Sequence, residues 1–212
     1  MERTFWKYVK FFLGKQIRQL ARTKAFDREQ VLTKAMKTFW RYGYERTSMQ
    51  ALVSSMGISR GSLYDTFGDK RSLFLAAIAY YEQTVMNNMI SSLLAPEANK
   101  QTIIDLFQEL IATTVSEPEH YGCLITNTAV ELCPDDGKTQ SQIERNFRQV
   151  TNAFKQALIK AQAQGELASD RNLDSLAEYL TSSIQGLRVV AKVNRDRQRL
   201  NNIVEIILAA LD

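Results

Sequence analysis

Histidine and cysteine are scarce in this chain of 212 residues, with one histidine, His120, and two cysteines, Cys123 and Cys133. A lone histidine leaves a zinc site or a histidine-based nucleophile triad without enough partners. It lies in a Pro-Glu-His-Tyr stretch and reads as a surface or cap residue. Two cysteines do not make a disulfide framework. No glycine-rich phosphate cradle occurs either. The carboxylate pair Asp135-Asp136 sits between Pro134 and Gly137 and reads as a solvated turn. These absences argue against an enzyme, and no metal and no cofactor are expected.

Proline and glycine are also sparse, at three and nine residues. No stretch alternates convincingly at period two, so the chain reads as all-α. Long apolar runs are missing. Lys7, Lys10 and Lys15 break the N-terminal apolar stretch, so neither a signal peptide nor a membrane span is expected. That reading places the protein in a reducing cytoplasm, with no membrane partner. An apolar fraction of 45% still provides for a sizeable core.

What the chain does have is charge asymmetry. Residues 1–75 hold fifteen Lys/Arg against six Asp/Glu, a net of +9, and the remainder has a net of −5. A basic N-terminal third on a mildly acidic body suits a polyanion docking at one end. Within residues 1–24, Trp6, Val9, Leu13, Ile17 and Leu20 form one helical stripe, with Lys7, Lys15, Arg18 and Arg22 largely off it. This basic amphipathic extension has three readings: an arm along DNA, a membrane-surface anchor, or a helix packed on the body.

The informative stretch runs from Asp27 to Phe74. Asp27 with Gln30 forms a capping box ahead of the Val31, Ala35, Phe39 face, and Gly43 ends that helix. Thr47 with Gln50 opens a second helix with Met49, Leu52 and Val53 inward. Gly57 supplies a left-handed residue for a tight turn. Ser59 caps a third helix anchored by Leu63 and Phe67 and stopped by Gly68, and Asp69 caps a long fourth one. Helix, turn and short polar helix in this order form a helix-turn-helix, which places one helix in the DNA major groove.

In that third helix, Ser59, Arg60, Gly61 and Ser62 form the first turn, the part aimed at base edges. Gly61 lets the backbone approach closely. Arg60 can donate twice to guanine, discrimination of ~1–3 kcal/mol, or it is a solvated charge. Tyr64 follows one turn later, as a phosphate contact or a core aromatic. Thr47 and Ser48 put hydroxyls at a helix N-terminus, an anion site. Lys70 does the same at the start of the fourth helix.

The run Ile58-Ser59-Arg60-Gly61-Ser62-Leu63-Tyr64-Asp65-Thr66-Phe67-Gly68-Asp69-Lys70 resembles the N-terminal domain of the TetR family of one-component repressors. The resemblance covers the helix-turn-helix and not residues 1–24. It implies phosphate contacts from Thr47, Tyr64 and Lys70, and a groove-facing turn at Ser59, Arg60, Gly61 and Ser62. Asp65 and Thr66 stand where other members often carry aromatic or histidine side chains. The implied architecture is a three-helix DNA-binding domain at 25–75 and a helical ligand-sensing and dimerisation domain at 76–212.

In that second part, helices are expected near 101–115, 120–133, 139–164, 172–193 and 198–211. The family pairs its last two helices with those of a second subunit. Leu187, Val190, Ile203 and Ile207 are the apolar positions expected at the partner or its supporting core. If 120–133 is one helix, Cys123 and Cys133 are ~15 Å apart along it. A disulfide needs Cα atoms within ~7 Å. The Gly122-Cys123-Leu124 opening and Ala129-Val130-Glu131-Leu132-Cys133 resemble the NemR-like, electrophile- and oxidant-sensing branch of the family. There the cysteine after the glycine reacts, and Lys192 matches the lysine that partners it. Cys123 is either such a sensor or a small packing residue beside an ordinary ligand pocket.

The expected protein is a homodimeric transcriptional regulator, a repressor, on a palindromic double-stranded operator. A small molecule or an electrophile or oxidant at Cys123 would release it. The rival is a helical small-molecule-binding or redox-scavenging protein whose helix-turn-helix serves packing only.

Overall fold

The computed structural model describes residues 26–117 and 121–212. The expectations for residues 1–24 and for His120 lie outside them. Among the described residues every regular element is helical. They are α1 (Arg28–Tyr42), α2 (Met49–Met56), α3 (Arg60–Phe67), α4 (Lys70–Tyr81), α5 (Asn87–Leu94), α6 (Lys100–Ser116), α7 (Leu124–Leu132), α8 (Gly137–Ala163), α9 (Leu173–Val193) and α10 (Arg197–Leu208). A short 3₁₀ turn, Ala209–Leu211, follows.

Local chemistry sets most of the ends. Asp27 accepts from the Glu29 and Gln30 N–H groups, Ser59 from Ser62, and Asp69 from Ser72. Each side chain satisfies donors that a helix start leaves open. The Ser72 backbone N–H holds the Asp69 carboxyl below its ordinary range. Gly57 closes α2 at φ 70°, where a Cβ would be strained.

The second helix is a correction to the sequence reading. Its cap is Ser48, which accepts from the Ala51 N–H, and the helix begins at Met49. Thr47 is buried, and its hydroxyl donates to the Gly43 carbonyl at 2.5 Å. That inward bond takes Thr47 out of the capping role, and the next hydroxyl fills it.

The long fourth helix is also modified. It opens at Asp69 as expected, but Glu82–Met86 forms a wider π turn between α4 and α5. Tyr81 and Met86 would stand ~140° apart on an ordinary helix. With the wider turn both reach the core, at 2% and 1% exposure.

α1, α2, α3 and α4 pack around Phe39, Leu52, Leu63 and Phe74, all fully or almost fully buried. Phe74 meets Phe39 edge-on at 4.9 Å and Tyr44 at 4.8 Å. Thr38 and Ser55 tie α1 to α2 through a 2.9 Å hydroxyl pair, and Thr33 ties α1 to Tyr80 of α4 at 3.0 Å. Behind them, α6, α8, α9 and α10 form a second layer. Phe107 and Phe154 stack across α6 and α8 at 6.3 Å, and Thr151 bonds Thr181 across α8 and α9 at 3.0 Å. The Lys160 ammonium covers the carbonyls of Leu94 and Ala95 at the end of α5.

Phe74→Ala should cost about 3–5 kcal/mol, because it removes the ring that two aromatics share and leaves a cavity. Urea unfolding of the variant should show the midpoint fall with little change in slope.

Candidate nucleic-acid interface and thiol corner

Two short helices, capped at Ser48 and Ser59, present the polar side chains of the helix-turn-helix. Leu52 and Met56 of α2 and Leu63 and Phe67 of α3 point inward, which fixes the outward face of each helix. On that face Ser48, Ser59, Arg60, Gly61 and Tyr64 are exposed, and Ser62 is half-buried. The Ser59 hydroxyl takes the Ser62 N–H at 3.0 Å and pairs with the Ser62 hydroxyl at 2.9 Å. The Arg60 guanidinium lies 5.8 Å from the Tyr64 ring centre and reaches its hydroxyl at 3.5 Å. Arg60 and Tyr64 therefore lie together at one spot on the surface.

A Cβ added at Gly61 would meet only the Ser59 hydroxyl oxygen at 3.8 Å. Among the described residues nothing requires glycine there. Lys70 stands over the Tyr44 ring at 4.3 Å, at the start of α4. Burial raises the Tyr44 phenol above its ordinary range, so that ring is a neutral platform for the ammonium. Arg71, beside it, pairs with Asp136 and so turns back to the body.

The cysteines occupy the two ends of α7. Cys123 is its N-cap residue and Cys133 its C-cap, so the helix is shorter at its start than the 120–133 expectation. Gly122 takes φ +75°, a left-handed break that keeps the helix from starting earlier. Both thiols are free. Nine residues of helix between them span ~13 Å, which forbids an internal bond.

Cys123 is buried at 2% exposure beside Tyr81. Burial first, and Cys123 next, push the Tyr81 phenol far above its ordinary range. Lys192 reaches the same corner by its stem. Its Cδ lies 3.4 Å from where a Gly122 Cβ would stand, and its ammonium donates to Asn127 Oδ1 at 3.4 Å. The Lys192 stem thus lies against Gly122, next in the chain to Cys123, and its ammonium is bonded to Asn127.

Sequence reasoning missed Glu131. Its carboxylate accepts the Tyr44 N–H at 3.0 Å and the Glu45 N–H at 2.9 Å, across 87 and 86 residues of chain. Trp40 Nε1 donates to the Gly122 carbonyl at 3.1 Å. The one local hint was Gly43 within Tyr-Gly-Tyr. Its φ is +81°, and a Cβ there would stand 2.8 Å from Glu131 Oε2.

Residues 31–77 match the family described as bacterial regulatory proteins, tetR family. Residues 100–207 match the tetracyclin repressor-like C-terminal domain. The chain belongs to the TetR family of transcriptional regulators. It is 40% identical over 91% of its length to an uncharacterised regulator, YezE of Bacillus subtilis, which it covers completely. It is 31% identical to the repressor ComR of Escherichia coli, over 86% of this chain and 87% of that one.

Among solved structures, a cysteine mutant of the TetR-family regulator CifR bound to 26-bp operator DNA matches with a TM-score of 0.80. The two are 32% identical over 89% of this chain and 99% of that one. Reduced NemR of Escherichia coli shares the fold, with a TM-score of 0.76 at 19% identity, over 85% of this chain and 94% of that one. Members of this family regulate transcription and are not enzymes. No described helix is long and apolar enough to cross a membrane.

Proposed function

We propose that this TetR-family member is a cytoplasmic homodimeric repressor that binds a palindromic operator. In this reading residues 25–75 read DNA, and residues 76–212 dimerise and sense the signal. The observation that carries it is the exposed row Ser59, Arg60, Gly61 and Tyr64 on a capped α3. Among the described residues its glycine answers to no close contact. A neighbour of 32% identity solved on operator DNA supports the same use of the face.

Arg60 is assigned to a base edge, with Ser59, Gly61 and Ser62 bringing the turn close. Ser48, Tyr64 and Lys70 are assigned to phosphates. Thr47 is reassigned: its hydroxyl bond to Gly43 shapes the turn, and Ser48 presents the hydroxyl to DNA.

The test is a gel shift on the DNA upstream of the protein's own gene, with competitor. Sequence-independent retention, or none, would favour a helical binding or scavenging protein whose helix-turn-helix only packs. The role assignments give a second prediction. Lys70→Ala should weaken binding to all sequences alike and flatten the log–log salt dependence by about 0.9. Arg60→Ala should relax preference at one base position and leave the others intact. A Lys70→Ala protein with altered base preference and an unchanged salt slope would reverse these roles.

For the signal, we favour modification of Cys123, with Lys192 at the same corner. The buried thiol sits at the start of α7, between the Gly122 carbonyl that precedes the helix and Glu131 within it, both bonded to the DNA-reading unit. A reversible small-molecule effector is the second reading. A cleft of about 500 Å³ between α4–α5 and α8 favours it, lined by Glu82, Gln83, Asn87, Gln149, Asn152 and Gln156. That volume suits a small ligand. Burial raises the Glu82 carboxyl above its ordinary range. Equilibrium dialysis with cell extract, read by mass spectrometry, separates a bound molecule from a thiol adduct. In both cases the signal must favour a DNA-incompetent arrangement, since equal binding to both shifts nothing.

A further inference from the structure

The segment from Gly122 to Asp136 is bonded to the DNA-reading unit at three places. Gly122 accepts from Trp40, Glu131 from Tyr44 and Glu45, and Asp136 pairs with Arg71. The middle tie differs from the others because it is made to the backbone of the turn that leads into α2. We infer that Glu131 is the positioning residue that sets the orientation of the reading unit on the body, through a nest of backbone N–H groups at Tyr44 and Glu45.

The geometry is that of a two-point clamp. Oε2 takes the Tyr44 N–H and Oε1 takes the Glu45 N–H, at 3.0 and 2.9 Å. Charge-assisted bonds of this length are stronger than neutral ones, and two together fix an angle as well as a distance. Gly43 makes room, since a Cβ would lie 2.8 Å from one carboxylate oxygen and 2.9 Å from the other.

The turn has its own bonds besides. Gly43 N–H reaches the Phe39 carbonyl at 2.8 Å, and Thr47 N–H reaches Tyr44 at 3.2 Å. The Thr47 hydroxyl reaches Gly43 at 2.5 Å. The helix-turn-helix is therefore shaped from within, and Glu131 adds its attachment to α7. That rod is nine residues long and is capped at its far end by Cys123. A shift of its start reaches Tyr44 and Glu45 through Glu131, because a helix this short moves as one body. Asp136 also caps α8 through the Lys138 and Thr139 N–H groups, both at 3.1 Å, so the lower end is anchored in the body.

The inference rests on the dimeric reading, because orientation matters most when two reading units must meet two half-sites together. Linking two binding events multiplies affinity only while geometry permits both. The experiment compares the operator found in the upstream DNA by gel shift with a duplex of equal length in which one half-site is scrambled, by fluorescence anisotropy.

The wild type should favour the full site strongly. Glu131→Ala should lose at least about tenfold of full-site affinity, with half-site binding within about twofold of wild type. The Tyr44 and Glu45 amides should exchange hydrogen faster. Glu131→Gln keeps the shape but turns an NH₂ toward one donor, so its loss should lie between.

An unchanged ratio of full-site to half-site affinity in Glu131→Ala overturns the inference alone. An equal loss on both duplexes overturns it too, since Glu131 would then hold the fold of the unit and not its orientation. A wild-type protein with no full-site advantage overturns the dimeric reading, and this inference with it.

Discussion

Ile206→Glu is expected to yield a folded monomer that no longer grips a full operator. Ile206 lies on α10 and is 71% exposed in the protomer. Val193 on α9 is 87% exposed and Val189 49%, so apolar side chains stand open on the last two helices together. A face of this kind on a single chain is suited to a second copy. A carboxylate placed there is solvated in the monomer and desolvated without a partner in the dimer, a cost of several kcal/mol. Operator affinity should fall on the order of 100-fold or more as the linked second half-site is lost.

Sedimentation should show the monomer at micromolar concentration, with the helical circular dichroism unchanged. A variant that still sediments as a dimer and binds the full site as wild type does would remove this face from the interface. Ile207 is the less informative neighbour. It is 6% exposed, and Leu187 is 3% exposed, so both sit in the protomer's own core and not at an open face. Ile207→Glu should unfold the chain instead of splitting it.

The reading unit was legible in the sequence because its signals are local. Asp27, Ser59 and Asp69 satisfy backbone groups within three residues, and Gly57 answers to its own φ. Where two local bonds compete, legibility ends. Thr47 resembles a cap as well as Ser48 does, and only the inward turn of its hydroxyl decides between them. The π turn at Glu82–Met86 comes from two core residues at an awkward spacing, Tyr81 and Met86, and no breaker marks it. The start of α7 was misplaced because Gly122 was read as part of a helix, although its φ of +75° ends one.

Glu131 was beyond reach. A glutamate in an apolar helix is ordinary until its partners, almost ninety residues away, are known. Lys192 was named by resemblance alone, and its hydrogen bond to Asn127 was not foreseeable. Similarly, i to i+4 spacing showed that the last two helices were rich in aliphatics. It did not show which of those face the protomer core and which, like Ile206, stand open.

Cys123→Ser is expected to abolish release from DNA by hypochlorous acid, while leaving operator affinity within about twofold of wild type, since the thiolate is the reacting group. The thiolate sulfur displaces chloride and becomes sulfenic acid, a two-electron oxidation balanced by reduction of the chlorine. Cys123 stands at the N-cap position of α7, next to Gly122. The Tyr81 phenol, held far above its ordinary range, stays protonated beside it and can donate to it.

Cys123 is 2% exposed, so a small oxidant should act faster than a bulky maleimide. Its oxidation adds an oxygen to a packed corner, where the Gly122 carbonyl holds Trp40 at 3.1 Å. The proposed route from there to Tyr44 and Glu45 runs along α7 through Glu131. Cys133→Ser should change the response little, because burial pushes that thiol upward and it lies at the other end of the helix. Lys192→Ala should blunt the response by removing the cation from the Gly122 corner. Anisotropy on labelled operator, titrated with oxidant from below to above one equivalent per subunit, gives the dose dependence. A Cys123→Ser protein that releases DNA with the wild-type dose dependence would place the sensor elsewhere. Attention would then pass to the Glu82-lined cleft between α4–α5 and α8.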